Sequence, residues 1–218
     1  DMCADHGIRL LTIYEDEWLF KRDAVEQKIR SILHKETATP IHARKCKTLG
    51  VSSSDLIPLY ESNHIQGPGR GSICYALVHE GTIVAGMSFI NHGKGKYELN
   101  RYASSVRIRG GFSKLLMAFK RSNRWSTITS YADRRWSVGT MYEQNGFTFD
   151  GNTQPSYWYL SPNKLTRIHR SHFRKEKLTT RLSAYDPTLT EFENCDNNGV
   201  LRIWDCGLKR YIMKNSNS

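Results

Sequence analysis

Residues 127–149 constrain the fold more than any other stretch. Thr127 to Ala132 alternate as a strand does, the strand ends in a polar cluster at Asp133, and the chain then runs into a short helix carrying Tyr142 on a buried face. Upstream, Gly110-Gly111 turns the chain into a helix from Phe112 to about Lys120, with Leu115, Leu116 and Phe119 as its apolar stripe. Before that turn lie a hairpin, 73–78 and 83–90 joined through 79–82, and a third strand at 97–103. Antiparallel strands followed by strand, helix, strand, helix and strand predict an α+β fold with a mixed, mainly antiparallel sheet flanked by helices.

Other elements fill in around this frame. The spacing of Val25, Ile29, Ile32 and Leu33 predicts one helix from Asp16 to His34, entered from a short apolar strand. Residues 40–49 read as a strand with a basic face, 55–63 as a short capped helix, and 64–72 as an irregular Gly/Pro-rich loop. Strands near 147–150 and 156–160 form a final hairpin. The partition that follows is 1–38, 39–161 and a basic helical C-terminal extension over 162–218.

With 218 residues and 39% hydrophobic content the chain can bury one sizeable core, which excludes disorder as the default. Thirty-two Lys and Arg against 21 Asp and Glu leave a formal charge of +11, pointing to a polyanionic partner such as nucleic acid. The surplus is uneven, because residues 160–181 hold seven Lys/Arg and one Glu. If that run is helical, Arg167, Arg170, Arg174 and Lys177 form a stripe suited to phosphates, with Lys164 at its start; the plain alternative is a solvated charged face. Five cysteines without a C-x-x-C pair suggest a reduced protein, and no apolar run reaches membrane-spanning length, so a cytoplasmic location is expected. Glu15, Asp16 and Glu17 could gather a metal but read better as charges complementing a helix start; no metal site is expected.

Over 40–160 the order of elements resembles the GNAT acyltransferase family. Arg107-Ile108-Arg109-Gly110-Gly111-Phe112 matches that family's R/Q-x-x-G-x-G/A turn, and Met141-Tyr142-Glu143-Gln144-Asn145-Gly146-Phe147 its L-Y-x-K-x-G-F segment. The resemblance implies acetyl-CoA or another acyl donor, its pyrophosphate held by Arg107, Arg109, Gly110, Gly111 and Ser113 at a helix N-terminus. It also implies Tyr142 as general acid toward the departing thiolate, with a half-buried core aromatic as the alternative. Phe112 stands where a small residue is expected, and its side chain would crowd the pyrophosphate.

Within that family, Glu98 to Tyr102, Ser130 to Asp133 and Gly139 to Tyr142, with the loop from His64, resemble the Mom-type DNA-modification proteins of bacteriophages. That implies a phage-encoded enzyme acting in a bacterial cell, transferring an acyl-type group to the exocyclic amine of adenine in DNA. Arg101, Ser130, Tyr131, Asp133 and Tyr142 would line its site. Chemically, Asp133 could orient an amine or take its proton, Arg101 could hold a phosphate or carboxylate, and His64 could serve as base or touch DNA. An Asp133 salt bridge to Arg101 or Arg134 is the structural alternative. The first strand and helix are similar to the end of a very-short-patch-repair-like nuclease fold, so a non-catalytic DNA-binding remnant of a homing-type endonuclease is the competing function.

Overall fold

The computed structural model describes residues 2–35 and 38–215. In chain order the helices are α1 (Met2–Asp5), α2 (Glu15–Phe20), α3 (Arg22–Ile32), α4 (Ile57–Asn63), α5 (Gly111–Ser122), α6 (Thr140–Glu143), α7 (Lys175–Leu178) and α8 (Glu191–Asn197). The strands are β1 (Ile41–His42), β2 (Lys47–Val51), β3 (Ile73–His79), β4 (Thr82–Asn91), β5 (Lys96–Ser104), β6 (Ile108–Arg109), β7 (Thr127–Asp133), β8 (Thr148–Asn152), β9 (Tyr157–Leu160), β10 (Arg167–His169), β11 (Arg202–Trp204) and β12 (Leu208–Lys214).

A seven-stranded sheet in the order β2-β3-β4-β5-β7-β12-β8 forms the body, and every pairing is antiparallel except β5 with β7. The α+β expectation holds. The β3–β4 hairpin closes on Glu80-Gly81, both at positive φ, the twist that suits a two-residue turn between right-twisted strands. Helix α5 lays Phe112, Leu115, Leu116 and Phe119 against the sheet, where Phe119 stacks on Phe89 at 3.8 Å. Burying an aromatic ring of this kind stabilises the fold by roughly 1.5–3 kcal/mol.

The final hairpin differs from expectation. The partner of β8 is not the 156–160 segment but β12, which also pairs with β7 along its whole length, from Leu208 opposite Asp133 to Lys214 opposite Thr127. Residues 153–207 are therefore inserted between two adjacent strands of the sheet. They form a small unit of their own: the sheet β10-β9-β11 packed on α7 and α8 over a core of Tyr159, Phe173, Leu178 and Cys195. The supposed helical extension is mostly strand and turn, because the run that looked like a basic helix carries an apolar residue at Ile168 and Phe173 that the unit needs inside. The capping box at α8 is present as read, with Thr190 and Glu193 bonding each other's backbone N–H groups.

The N-terminal segment also departs from its expected form. No strand precedes the helix, and the helix breaks at Lys21 into α2 and α3. A network of charge holds it down. Arg135, just past β7, forks onto Glu17 at 2.9 and 3.0 Å and onto Asp133 at 2.6 Å, while Arg167 of β10 reaches Asp16 and Glu17, each at 2.9 Å. Both guanidinium groups lie over the Tyr14 ring, at 4.3 and 3.8 Å. Asp16 and Glu17 of the acidic triplet thus serve as counter-charges for two arginines, and among the described residues no group of three or more His, Cys, Asp or Glu is placed to hold a metal.

Candidate functional site

Strands β5 and β7 pair only from Lys96–Thr127 to Leu99–Ser130, although β5 continues to Ser104 and β7 to Asp133. They part at a β-bulge: Ser88 of β4 opposes Arg101 while Phe89 opposes Leu99, which leaves Asn100 as the extra residue and turns β5 away. The gap is a cleft of about 740 Å3, walled by β5, the end of β7, α3, residues 63–66 and residues 136–142.

At the apex, where the last pair Leu99–Ser130 is made, Ser130 Oγ hydrogen-bonds the Leu99 carbonyl at 3.0 Å and the Tyr142 hydroxyl at 3.3 Å. Tyr142 lines the cleft but is only 8% exposed, its ring stacked on Tyr211 at 4.9 Å and edge-on to Phe112 and Phe147. Burial raises its pKa, so the phenol keeps its proton at neutral pH. Short helix α6 presents it, and Gly139 makes that helix possible: its φ is +101°, and a Cβ there would sit 1.6 Å from Tyr211 Oη.

The Gly110-Gly111 turn is where the sequence placed it. Gly110, at φ +76°, caps α5, and the first intrahelical bond is the one Lys114 N–H donates to the Gly110 carbonyl. The N–H groups of 111–113 thus stand at a helix start, with the dipole's positive end behind them. The Ser113 hydroxyl is drawn to Asn145 Oδ1. Arg109 is exposed beside the turn, and Arg107 both flanks it and lines the cleft. The expected crowding by Phe112 is absent. Its ring is buried, edge-on to Tyr102 and Tyr142, because the first turn of an amphipathic helix points that position at the core.

Other predicted site residues have been given different work. Asp133 lies at the cleft margin, but both its oxygens are clasped by Arg135, so the salt bridge exists with a partner other than Arg101 or Arg134. Arg101 does not offer a free fork: Nε donates to the Gly67 carbonyl at 3.1 Å and Nη1 to Asn100, pinning the 64–71 loop to the strand. His64 lines the cleft with Nδ1 accepting the Gln66 N–H at 3.2 Å. Burial first, then Arg101, Lys28 and Lys21, push its pKa down to about 3, so the ring is neutral and carries its proton on Nε2. Tyr131 is exposed on the cleft wall, on the opposite face of β7 from Ile128, Ser130 and Ala132, as the alternation predicts.

The expected phosphate stripe is not a stripe. Arg167 is half-buried in its ion pairs, while Lys164, Arg170, Arg174 and Lys177 are exposed on successive turns of the inserted unit. Two residues that matter went unread. Lys28 of α3 lines the cleft with an exposed side chain, and desolvation, then Arg9, lower its pKa against the pull of Asp133; in sequence it is one more charge on a helix face. Arg135, 6% exposed, was a basic residue in a polar cluster, and only its opposition to Glu17, distant in the chain, reveals its role.

A search of family models and one of curated proteins return no match to the chain. Among solved structures it is similar to a Bacillus subtilis acetyltransferase in complex with CoA, at 16% identity and TM-score 0.44, over 78% of this chain and 99% of that one. It is similar to a GNAT family acetyltransferase from Elizabethkingia anophelis with acetyl-CoA bound, at 13% identity and TM-score 0.43, over 78% and 99%. An aminoglycoside 6'-acetyltransferase type Ii superposes with TM-score 0.44 at 12% identity, over 77% and 96%. Likeness this loose leaves the chain's chemistry to be argued from its own cleft.

Proposed function

We propose that this chain is an acyltransferase of GNAT type, passing an acyl group from a coenzyme A thioester to an amine held in the cleft. The observation that carries it is Tyr142: a proton-bearing phenol, bonded to Ser130, at the point where two parallel strands part. The turn fits the donor's pyrophosphate. Its N–H groups at 111–113 have no partner earlier in the helix, Gly110 supplies the left-handed entry, Phe112 faces inward, and Arg107 and Arg109 stand beside it. The thioester supplies the activated acyl group; Tyr142 serves as general acid, with Ser130 fixing its hydroxyl. Asp133, held by Arg135, acts as an anchor rather than a base.

The acceptor in the finer reading is an exocyclic amine of DNA, adenine as in Mom-type proteins. It is supported by the +11 charge and by the exposed Lys164, Arg170, Arg174 and Lys177 on the inserted unit. The competing DNA-binding module without chemistry rested on Phe112 obstructing the turn and on the nuclease-like N-terminal segment; the inward ring of Phe112 removes the first of these supports. Calorimetry with CoA tests the donor: no binding by the wild-type chain overturns the acyltransferase reading. Mass spectrometry of nucleosides from DNA of cells expressing the protein tests the acceptor, and an unmodified adenosine pool would remove DNA from it.

A further inference from the structure

Lys28 of α3, Arg101 of β5 and His64 meet at one wall of the cleft. Among the described residues, the cations Lys28, Arg30 and Arg101 line the cleft together with the carboxylates Glu98 and Asp133. Asp133 is taken up by Arg135, and Glu98 faces His92 at 3.4 Å. Arg30 pairs with Glu26 at 3.6 Å. Lys28 and Arg101 have no ion-pair partner among the described residues; Arg101 is bonded to uncharged oxygens alone, those of Gly67 and Asn100. Both charges bear on His64, whose protonated Nε2 makes it a donor. Where this fold needs an arginine only for stability, at Arg135, it supplies two carboxylates. Asp133 and Glu98 act on Lys28 and Arg101 only from beyond ion-pair distance, so an arriving anion would be attracted by both cations.

We propose that this wall recognises an anionic group, a phosphate or a carboxylate, carried by the amine acceptor, with Lys28 and Arg101 supplying the charge and His64 a neutral hydrogen-bond donor. The proposal rests on the acyltransferase reading for the word acceptor, and on nothing else in it. Lys28 is the residue to change, because Arg101 also anchors the loop and its replacement confounds binding with folding.

The test is calorimetry on the full chain with three small amines: O-phosphoethanolamine, 4-aminobutyrate and butylamine. At least one anionic amine should bind tenfold or more tighter than butylamine, and which one does so separates phosphate from carboxylate. Lys28→Glu should erase that preference without lowering the melting temperature, and Lys28→Arg should retain it. Equal affinity for all three amines, or an unchanged preference in Lys28→Glu, overturns the proposal. CoA titrated in parallel reports the acyltransferase reading separately: absent CoA binding with anion preference intact would sink that reading and leave this site standing.

Discussion

Two clusters of charge meet near the end of β7, and they are built on opposite rules. Around Arg135 and Arg167, every guanidinium faces a carboxylate from another part of the chain, Asp16, Glu17 or Asp133, and Tyr14 covers both. In the cleft, Arg101 is bonded to carbonyl and amide oxygens and, with Lys28, bears on a neutral imidazole, while Glu98 and Asp133 act on the two cations from beyond ion-pair distance. The first cluster is closed and ties the N-terminal helices, the central sheet and the inserted unit together. The second is open. The difference teaches that it is not the burial of charge alone but whether a carboxylate lies within ion-pair distance that separates the two regions of this molecule.

The comparison breaks most decisively at Tyr142. If the open region is catalytic, Tyr142→Phe should slow acyl transfer by about 10²-fold or more, the usual contribution of a general acid, with a nearly unchanged melting temperature. Steady-state kinetics beside a thermal melt decides it; full activity would make Tyr142 a core aromatic only. Arg135→Ala is the counterpart in the closed cluster. Leaving Asp133 without its partner, and the buried Glu17 with Arg167 alone, should cost about 3–5 kcal/mol, read by urea unfolding, and a loss below 1 kcal/mol would show the network to be ornamental.

Asp133→Asn distinguishes the regions at their border. It should destabilise by about 1–3 kcal/mol while retaining transfer activity in the folded fraction; loss of activity with stability intact would return Asp133 to the catalytic role expected from sequence. The last effect is spread over several pH units. The His64 pKa falls from its ordinary value near 6.5 to about 3 on folding, so the unfolded chain binds the proton first. This contribution to stability is complete above about pH 6.5 and lost as pH falls toward 3, with a slope of at most about 1.4 kcal/mol per pH unit. His64→Gln should flatten that part of the stability curve; an unchanged slope would mean that the ring is not held neutral.

Much of the sheet was legible because its signals are local. The β3–β4 hairpin announces itself by alternation around Glu80-Gly81, α5 by its apolar stripe behind Gly110, and α8 by its capping box, all decided within a few residues of one another. The same holds for Tyr142, whose place follows from a strand, a glycine and a short helix. Pairing over distance was not legible. Nothing local to residues 147–160 tells that β8 waits for a strand at 208–214, since any alternating strand satisfies the local rule and only packing selects the partner. The basic run at 160–181 misled for a related reason: its cations recur at helical spacing, but burying Ile168 and Phe173 in the small core outweighed that weak preference.

By itself, then, the chain determined its class of fold, the turn before α5 and the tyrosine at the apex, because hydrophobic period and glycine conformation act over a turn or a strand. Tertiary structure decided which charges are closed and which are open. Arg135, Arg167, Arg101 and Lys28 are alike as sequence, and what separates them is whether folding brings a carboxylate within reach from residues more than a hundred positions away, as it does for Arg135 and Glu17. Coulomb energy depends on distance and local dielectric, and neither exists until the chain is packed.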